Sequence, residues 1–149
     1  MTSATEIAPV VKEVVVAAPV TRAWEVFTTG MGTWWPLETH SVGLAGAREI
    51  VFEGNDGGRI FERWDDGTEV SWGEVDVWEP PRRVRFSWRP NHDMPAATEV
   101  EVTFTPDDAG TRVRLEHRGW ERLGDLGGES RASYDTGWVP VMARYEAVL

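Results

Sequence analysis

Few side chains in this sequence could act as acids, bases or nucleophiles, and they are scattered. The three histidines are His40, His92 and His117, and none belongs to a metal-ligand motif such as HExxH. The chain has no cysteine, which excludes disulfides, thiol catalysis and thiolate metal sites. No GxSxG motif, phosphate-binding loop or dinucleotide fingerprint is present. The sequence therefore predicts neither a bound metal nor a cofactor.

Three polar residues fall where an internal pocket could use them. His117 is the one polar residue on an otherwise apolar face of its strand, near the strand's end. It fits a core histidine bonded to its neighbours as well as a histidine that orients a ligand. Tyr134 carries a hydroxyl that needs a partner if it is buried. Glu62 and Arg63 are adjacent in a strand, so one of them must point inward.

Nine tryptophans are more than packing alone requires in 149 residues. Trp34 and Trp35 are adjacent and would point apart in any regular structure, which predicts one ring in the core and the other at a cavity wall or entrance. Trp88 ends an inward-facing strand, and Trp138 lies on the apolar stripe of the last helix. For each ring, a packing role and a ligand-stacking role both remain open.

These side chains are positioned by an alternating series of short elements. Residues 10–16 form a valine-rich strand, and residues 20–27 have the spacing of a helix face. A helix over 129–149 follows a flexible connection over 124–128, and Pro140 predicts a kink or a broken turn inside that helix. Between them lie six strands that are separated by turn signals, at residues 48–53, 59–64, 69–78, 83–88, 98–105 and 111–118.

Alternation predicts which side chains of the strands face inward. Val84, Phe86 and Trp88 share one face of their strand. The same holds in the next two strands for Val100, Val102 and Phe104, and for Val113, Leu115 and His117. In the strand over 69–78, the valines at 75 and 77 are assigned inward, and Trp72 and Trp78 outward. A bulge near residue 73 would reverse that assignment.

Consecutive strands with short turns form an antiparallel meander, and only the last helix is long enough to cover it. The sequence thus predicts one α+β domain over 1–149 with a helix-grip fold. In that fold a curved antiparallel sheet wraps around a long C-terminal helix with an internal cavity. The net charge of −10 disfavours nucleic acids and anionic membranes as partners. Without a signal or membrane-spanning segment we expect a cytoplasmic protein without membrane insertion, and a homodimer remains open.

An ordered set of short motifs resembles the START-like (SRPBCC) superfamily. The most similar branch comprises homologues of the activator of the 90-kDa heat-shock protein ATPase, which is often labelled polyketide cyclase-like. The stretch over 34–41, WWPLETHS, resembles a local feature of bacterial relatives. The motifs are GGRIF at 57–61, GEV at 73–75, EPPR at 79–82, FSW at 86–88, GTRV at 110–113, LEHRGW at 115–120 and GW at 137–138.

The resemblance implies a hydrophobic cavity between sheet and helix, but no single function. The first hypothesis is a protein that binds an apolar or aromatic small molecule. The second is a cyclase- or hydrolase-type enzyme in which His117 with Tyr134 or Glu62 moves protons. The third is a co-chaperone, least favoured because the extra N-terminal domain of the eukaryotic activator is not in this sequence. The predicted ligand-binding residues are Trp34, Trp35, Trp88, His117, Tyr134 and Trp138.

Overall fold

A seven-stranded antiparallel sheet supports the fold in the computed structural model, which describes residues 6–149. The spatial order of its strands is β1-β7-β6-β5-β4-β3-β2. The sheet curls, and the strand β1 at one edge pairs with the last strand β7. The strands are β1 Val10–Val16, β2 Ala47–Phe52, β3 Arg59–Trp64, β4 Glu69–Glu79, β5 Arg83–Trp88, β6 Thr98–Asp107 and β7 Gly110–Arg118.

Two α-helices pack on the inner face of this sheet. They are α1, Val20–Phe27, and α2, Gly127–Ala147. The α2 helix buries Trp138, Val141, Met142 and Tyr145. Its Tyr145 ring lies 5.1 Å from that of Phe27 in α1, and its Trp138 ring lies 5.5 Å from that of Trp88 in β5. The predicted α+β helix-grip fold is therefore confirmed.

The approach to α2 differs from the prediction. Residues 124–126 of the predicted flexible connection end a 3₁₀ helix over Trp120–Leu126, which is interrupted at Gly124. Residues 127–128 belong to α2, which therefore begins two residues before the predicted start. The helix also continues through Pro140, where the sequence predicted a kink or a broken turn. Pro140 is exposed, so its ring faces solvent.

Strand β4 corrects the assignment of its two tryptophans. Its pairing with β3 shifts register opposite residues 60–61 of β3. Its pairing with β5 shifts again, between residues 75 and 77 of β4. The first bulge turns Trp72 inward, where it is 1% exposed. The second places Trp78 opposite the buried Val84, and its ring packs 4.8 Å from that of Trp24. Val75 is buried as predicted, but Val77 lies opposite Arg85 and faces outward.

Replacing Gly73 with alanine should lower the free energy of unfolding by about 1–3 kcal/mol. A Cβ atom at this bulge would collide with the backbone carbonyl oxygen of Ser87 on the neighbouring strand. The matched control is Gly128→Ala in the first turn of α2, where the added methyl group meets open space. It should be neutral or slightly stabilising. Urea unfolding measures both, and wild-type stability for Gly73→Ala would contradict the observed register of β4.

Candidate ligand-binding site

An opening at the inner face of the sheet, called here the main cavity, has a volume of about 390 Å³. It lies between strands β4 and β5, the middle of α2 and the loop that follows α1. Four tryptophans and one tyrosine form its aromatic wall, with a polar rim from the loop and from the turn after β5. The lining residues are Trp35, Thr39, His40, Ser41, Val42, Trp72, Trp88, Pro90, Asn91, Ser133, Tyr134, Gly137, Trp138 and Val141.

Four indole rings form the apolar wall of the main cavity. Trp35 lies 5.1 Å from Trp72, 5.9 Å from Trp88 and 5.9 Å from Trp138, measured between ring centroids. The planes in these pairs are inclined to one another by 51° to 87°. Centroid separations of 5 to 6 Å with inclined planes are close edge-to-face contacts, so the four indoles pack on one another and together border the cavity.

A second opening, the side cavity, has a volume of about 270 Å³. It shares Trp88, Pro90, Asn91, Ser133 and Tyr134 with the main cavity. The Trp88 and Tyr134 side chains therefore form part of a wall that separates the two spaces. Beyond that wall the side cavity is lined by residues that include Met94, Thr98, Trp120 and Leu123.

His117 lies behind this wall and does not line the main cavity. Its side chain is fully buried. The ring Nδ1 accepts a hydrogen bond of 3.0 Å from the indole N–H of Trp138. The proton must therefore reside on Nε2, which lies 2.7 Å from the Thr98 hydroxyl, and that hydroxyl donates to the Trp88 carbonyl oxygen. Both ring nitrogens are used within the core, and burial lowers the pKa of His117 to about 3.

Tyr134 and Trp88 contribute the polar groups of the shared wall. Burial raises the pKa of the Tyr134 hydroxyl, an effect that the nearby Trp88 indole N–H partly offsets. The two groups nevertheless fall short of regular hydrogen-bond geometry. Among residues 6–149, Trp88 Nε1 is the one buried side-chain nitrogen or oxygen that lacks a hydrogen-bond partner. A donor left unpaired next to a cavity is costly unless a further group approaches it.

Glu62 is the inward member of the pair that alternation left open. Its side chain is fully buried, whereas Arg63 points outward and forms ion pairs with Glu49 and Glu69. The Glu62 carboxylate lies behind Trp72 and does not line the main cavity. It accepts hydrogen bonds from four N–H donors, two of them in the loop after α1.

The two adjacent tryptophans do not point apart as predicted, because their ring centroids lie 5.8 Å from each other and both rings are buried. They follow the 3₁₀ helix over Met31–Thr33 in irregular chain, where the alternation of a regular element does not apply. Trp34 belongs to the core, where its N–H donates to the Val26 carbonyl oxygen and its ring packs on Tyr145. Trp35 lines the main cavity and donates to the carbonyl oxygen of His40. The fold thus gathers Trp35, Trp88, Tyr134 and Trp138 around one space and leaves Trp34 and His117 outside it.

Several cavity residues carry no periodic signal in the sequence. Thr39, Ser41 and Val42 lie in an irregular loop, and Asn91 lies in the turn after β5. Trp72 could have been found only by anticipating the bulge at the following residue. Among the described residues, no three histidine, aspartate or glutamate side chains are grouped to hold a metal ion. None of the described helices is long and apolar enough to cross a membrane.

Comparison with known proteins connects the chain to one family. The family described as activator of Hsp90 ATPase homolog 1-like protein matches residues 17–147. The anthrahydroquino-gamma-pyrone synthase Txn09, solved as a complex, is 38% identical to this chain. That structure covers 97% of this chain and 98% of its own, with a TM-score of 0.64.

Two further structures share the fold at lower identity. A protein of Mesorhizobium loti is 22% identical over 93% of this chain and 94% of its own, with a TM-score of 0.67. A Bacillus halodurans protein is 21% identical over 97% of this chain and 98% of its own, with a TM-score of 0.68. A search of curated protein sequences found no match.

NMR should show His117 as the neutral Nε2–H tautomer from about pH 8 down to about pH 4. Its pKa of about 3 in the folded protein is below the value of 6.5 expected after unfolding, so protonation favours the unfolded chain. This stabilising contribution is complete above about pH 6.5 and decreases by roughly 3 kcal/mol as the pH falls to 4. A titration midpoint of His117 above about pH 5 would contradict the hydrogen bonds at both ring nitrogens.

Proposed function

We propose that this chain, which belongs to the family of activator of Hsp90 ATPase homolog 1-like proteins, binds a flat aromatic molecule in the main cavity. The observation that supports this most directly is the wall of four inclined indole rings around an open space. The volume of about 390 Å³ lies within the range of roughly 300–1,000 Å³ typical of small-molecule sites.

The wall favours an aromatic ligand over an aliphatic one. Trp35, Trp72, Trp88 and Trp138 present faces and edges in several directions, so a flat ring system can make stacked and edge contacts together. Each such contact contributes roughly 0.5–1.5 kcal/mol beyond the burial of area. Gly137 adds to this fit, because the space beside its Cα atom is empty where any other residue would carry a side chain.

The polar groups of the shared wall favour a ligand with oxygen at its edge. The indole N–H of Trp88 has no partner, and the Tyr134 hydroxyl lies beside it. A carbonyl or phenolic oxygen that reaches this wall would supply an acceptor for these donors. His117 is a poorer candidate for the same contact, because it would first have to break a hydrogen bond to Trp138 or Thr98.

The similarity to Txn09 agrees with this ligand class. The name of that synthase describes an anthrahydroquinone fused to a pyrone, which is a flat ring system with oxygen substituents. The match extends over nearly the whole chain, including the elements that form the main cavity. We therefore expect ligands of the hydroxylated anthraquinone type, and alizarin, a dihydroxyanthraquinone, is a suitable probe.

Alizarin should quench the tryptophan fluorescence of the native protein, and Gly137→Leu should weaken its binding at least tenfold. The leucine side chain would extend from α2 into the main cavity without a clash. The matched control is Gly128→Leu, the same change at an exposed position of the same helix. Both variants should unfold within a few degrees of the wild-type protein. Equal affinities of both variants for alizarin would exclude the main cavity as the binding site.

A second candidate is a ring-forming enzyme, favoured by the 38% identity to a pyrone synthase. The raised pKa of Tyr134 keeps its hydroxyl protonated at neutral pH, so it could donate to a substrate carbonyl. A suitable test substrate is an ortho-hydroxyaryl diketone. Its phenol oxygen adds to the distal carbonyl carbon, and the pyrone ring forms as one water molecule leaves.

Tyr134→Phe separates this enzyme from a binding protein. The variant keeps the ring that packs on His117 and Trp120 and loses only the hydroxyl. If Tyr134 is the proton donor, cyclisation should slow by about a hundredfold or more. Alizarin affinity should change by less than about tenfold. If wild-type protein does not accelerate cyclisation above the rate in buffer, the result counts against the enzyme hypothesis. The binding hypothesis would then stand.

A further inference from the structure

We propose that Glu62 is a positioning residue that sets the shape of the main cavity, a role that rests on the proposed ligand site. Its Oε1 accepts hydrogen bonds from the Val42 backbone N–H at 2.7 Å and from the Trp72 indole N–H at 2.8 Å. Val42 and Trp72 both line the main cavity. One oxygen atom therefore joins the loop to the indole wall.

The second carboxylate oxygen strengthens the same connection. Oε2 accepts from the Gly43 backbone N–H at 2.8 Å and from the Trp64 indole N–H at 2.9 Å. Four donors converge on the two oxygens, and a protonated carboxyl group would place its own hydrogen against one of them. The arrangement therefore requires the ionised carboxylate, whose hydrogen bonds are stronger than those between neutral groups.

The end of the loop at residues 42–44 depends on this carboxylate, because the apolar side chains that anchor the loop, those of Trp35 and Leu37, lie at its start. Val42 is 46% exposed and Leu44 is 50% exposed, so neither side chain is buried in the core. Apart from Glu62, the loop is held by contacts such as the hydrogen bond from the Trp35 indole to the His40 carbonyl oxygen. At Val42 and Gly43 the backbone N–H groups are held by Glu62 itself.

The same geometry argues against proton transfer by Glu62. The carboxylate is fully buried, does not line the main cavity and already has two donors on each oxygen. To accept a proton from a ligand it would have to release a donor and move past Trp72. Its effect on a ligand is therefore indirect and acts through the loop and the indole that it holds.

Glu62→Gln tests the role, because glutamine keeps the shape but turns an NH₂ group toward two N–H donors. In ligand-free protein, the Val42 and Gly43 amides should exchange with deuterium at least about tenfold faster than in wild type. Glu49→Gln is the control, since Glu49 lies on β2 and its carboxylate pairs with Arg63 at the surface. Wild-type exchange in Glu62→Gln would overturn the proposal.

A ligand measurement distinguishes positioning of the cavity from a general loss of stability. Alizarin is rigid and should lose at least about tenfold in affinity for Glu62→Gln. Anilinonaphthalene sulfonate has a rotatable bond between its rings and should lose less than threefold, because it adapts to a looser wall. Equal losses for both probes, or none for alizarin, would overturn the role in selectivity. Wild-type protein that does not bind alizarin would refute the proposed ligand, while the exchange measurement still tests the attachment of the loop.

Trp64→Phe provides a second variant should Glu62→Gln fail to fold. It removes one of the four donors to Glu62 and retains an aromatic ring at a position outside the main cavity. Exchange at Gly43, which shares Oε2 with Trp64, should change more than exchange at Val42. Unchanged exchange at both amides would show that the carboxylate does not hold the loop.

Discussion

Six of the nine tryptophans donate the indole N–H to an acceptor within the protein, and the groups that supply those acceptors determine its inner architecture. Two polar residues serve as centres for this purpose. His117 accepts from Trp138 through its ring and from Trp120 through its carbonyl oxygen. Glu62 accepts from Trp64 and Trp72. Both are buried among aromatic rings and hydrogen-bonded at every position, which is the condition under which polar groups are tolerated in a core. The loop, the sheet and α2 are aligned by these bonds.

Much of the fold could be predicted because burial follows the period of the strands. The inward faces of β5, β6 and β7 are buried as alternation predicts, from Val84 in β5 to Leu115 in β7. The predicted facing of the residues in β4 was partly wrong, because a bulge changes the facing of every residue beyond it. Gly73 signalled the first bulge, since its backbone approaches Ser87 too closely for a side chain. No comparable residue marks the second bulge, so the facing of Trp78 could not be read from the sequence.

The candidate site was less predictable than the fold, for two physical reasons. Loop residues such as Thr39 and Asn91 follow no period, so only the folded chain places them at the cavity. The partners of a buried polar group are also invisible in the sequence. Alternation predicts that His117 faces inward, but not that Trp138 and Thr98 occupy both of its ring nitrogens. The unpaired indole N–H of Trp88 and the hydroxyl of Tyr134 lie at the cavity instead, in addition to its polar rim.

The central claim is that the main cavity, which is bordered by four indoles, is the ligand site. The most direct test follows the indole N–H signals of the nine tryptophans by NMR while alizarin is added. Binding in the main cavity should produce large shifts for Trp35, Trp72, Trp88 and Trp138, which line it. The signals of Trp24 and Trp78, which pack elsewhere in the core, should stay in place. Saturable shifts confined to Trp24 and Trp78, or none at any tryptophan, would contradict it.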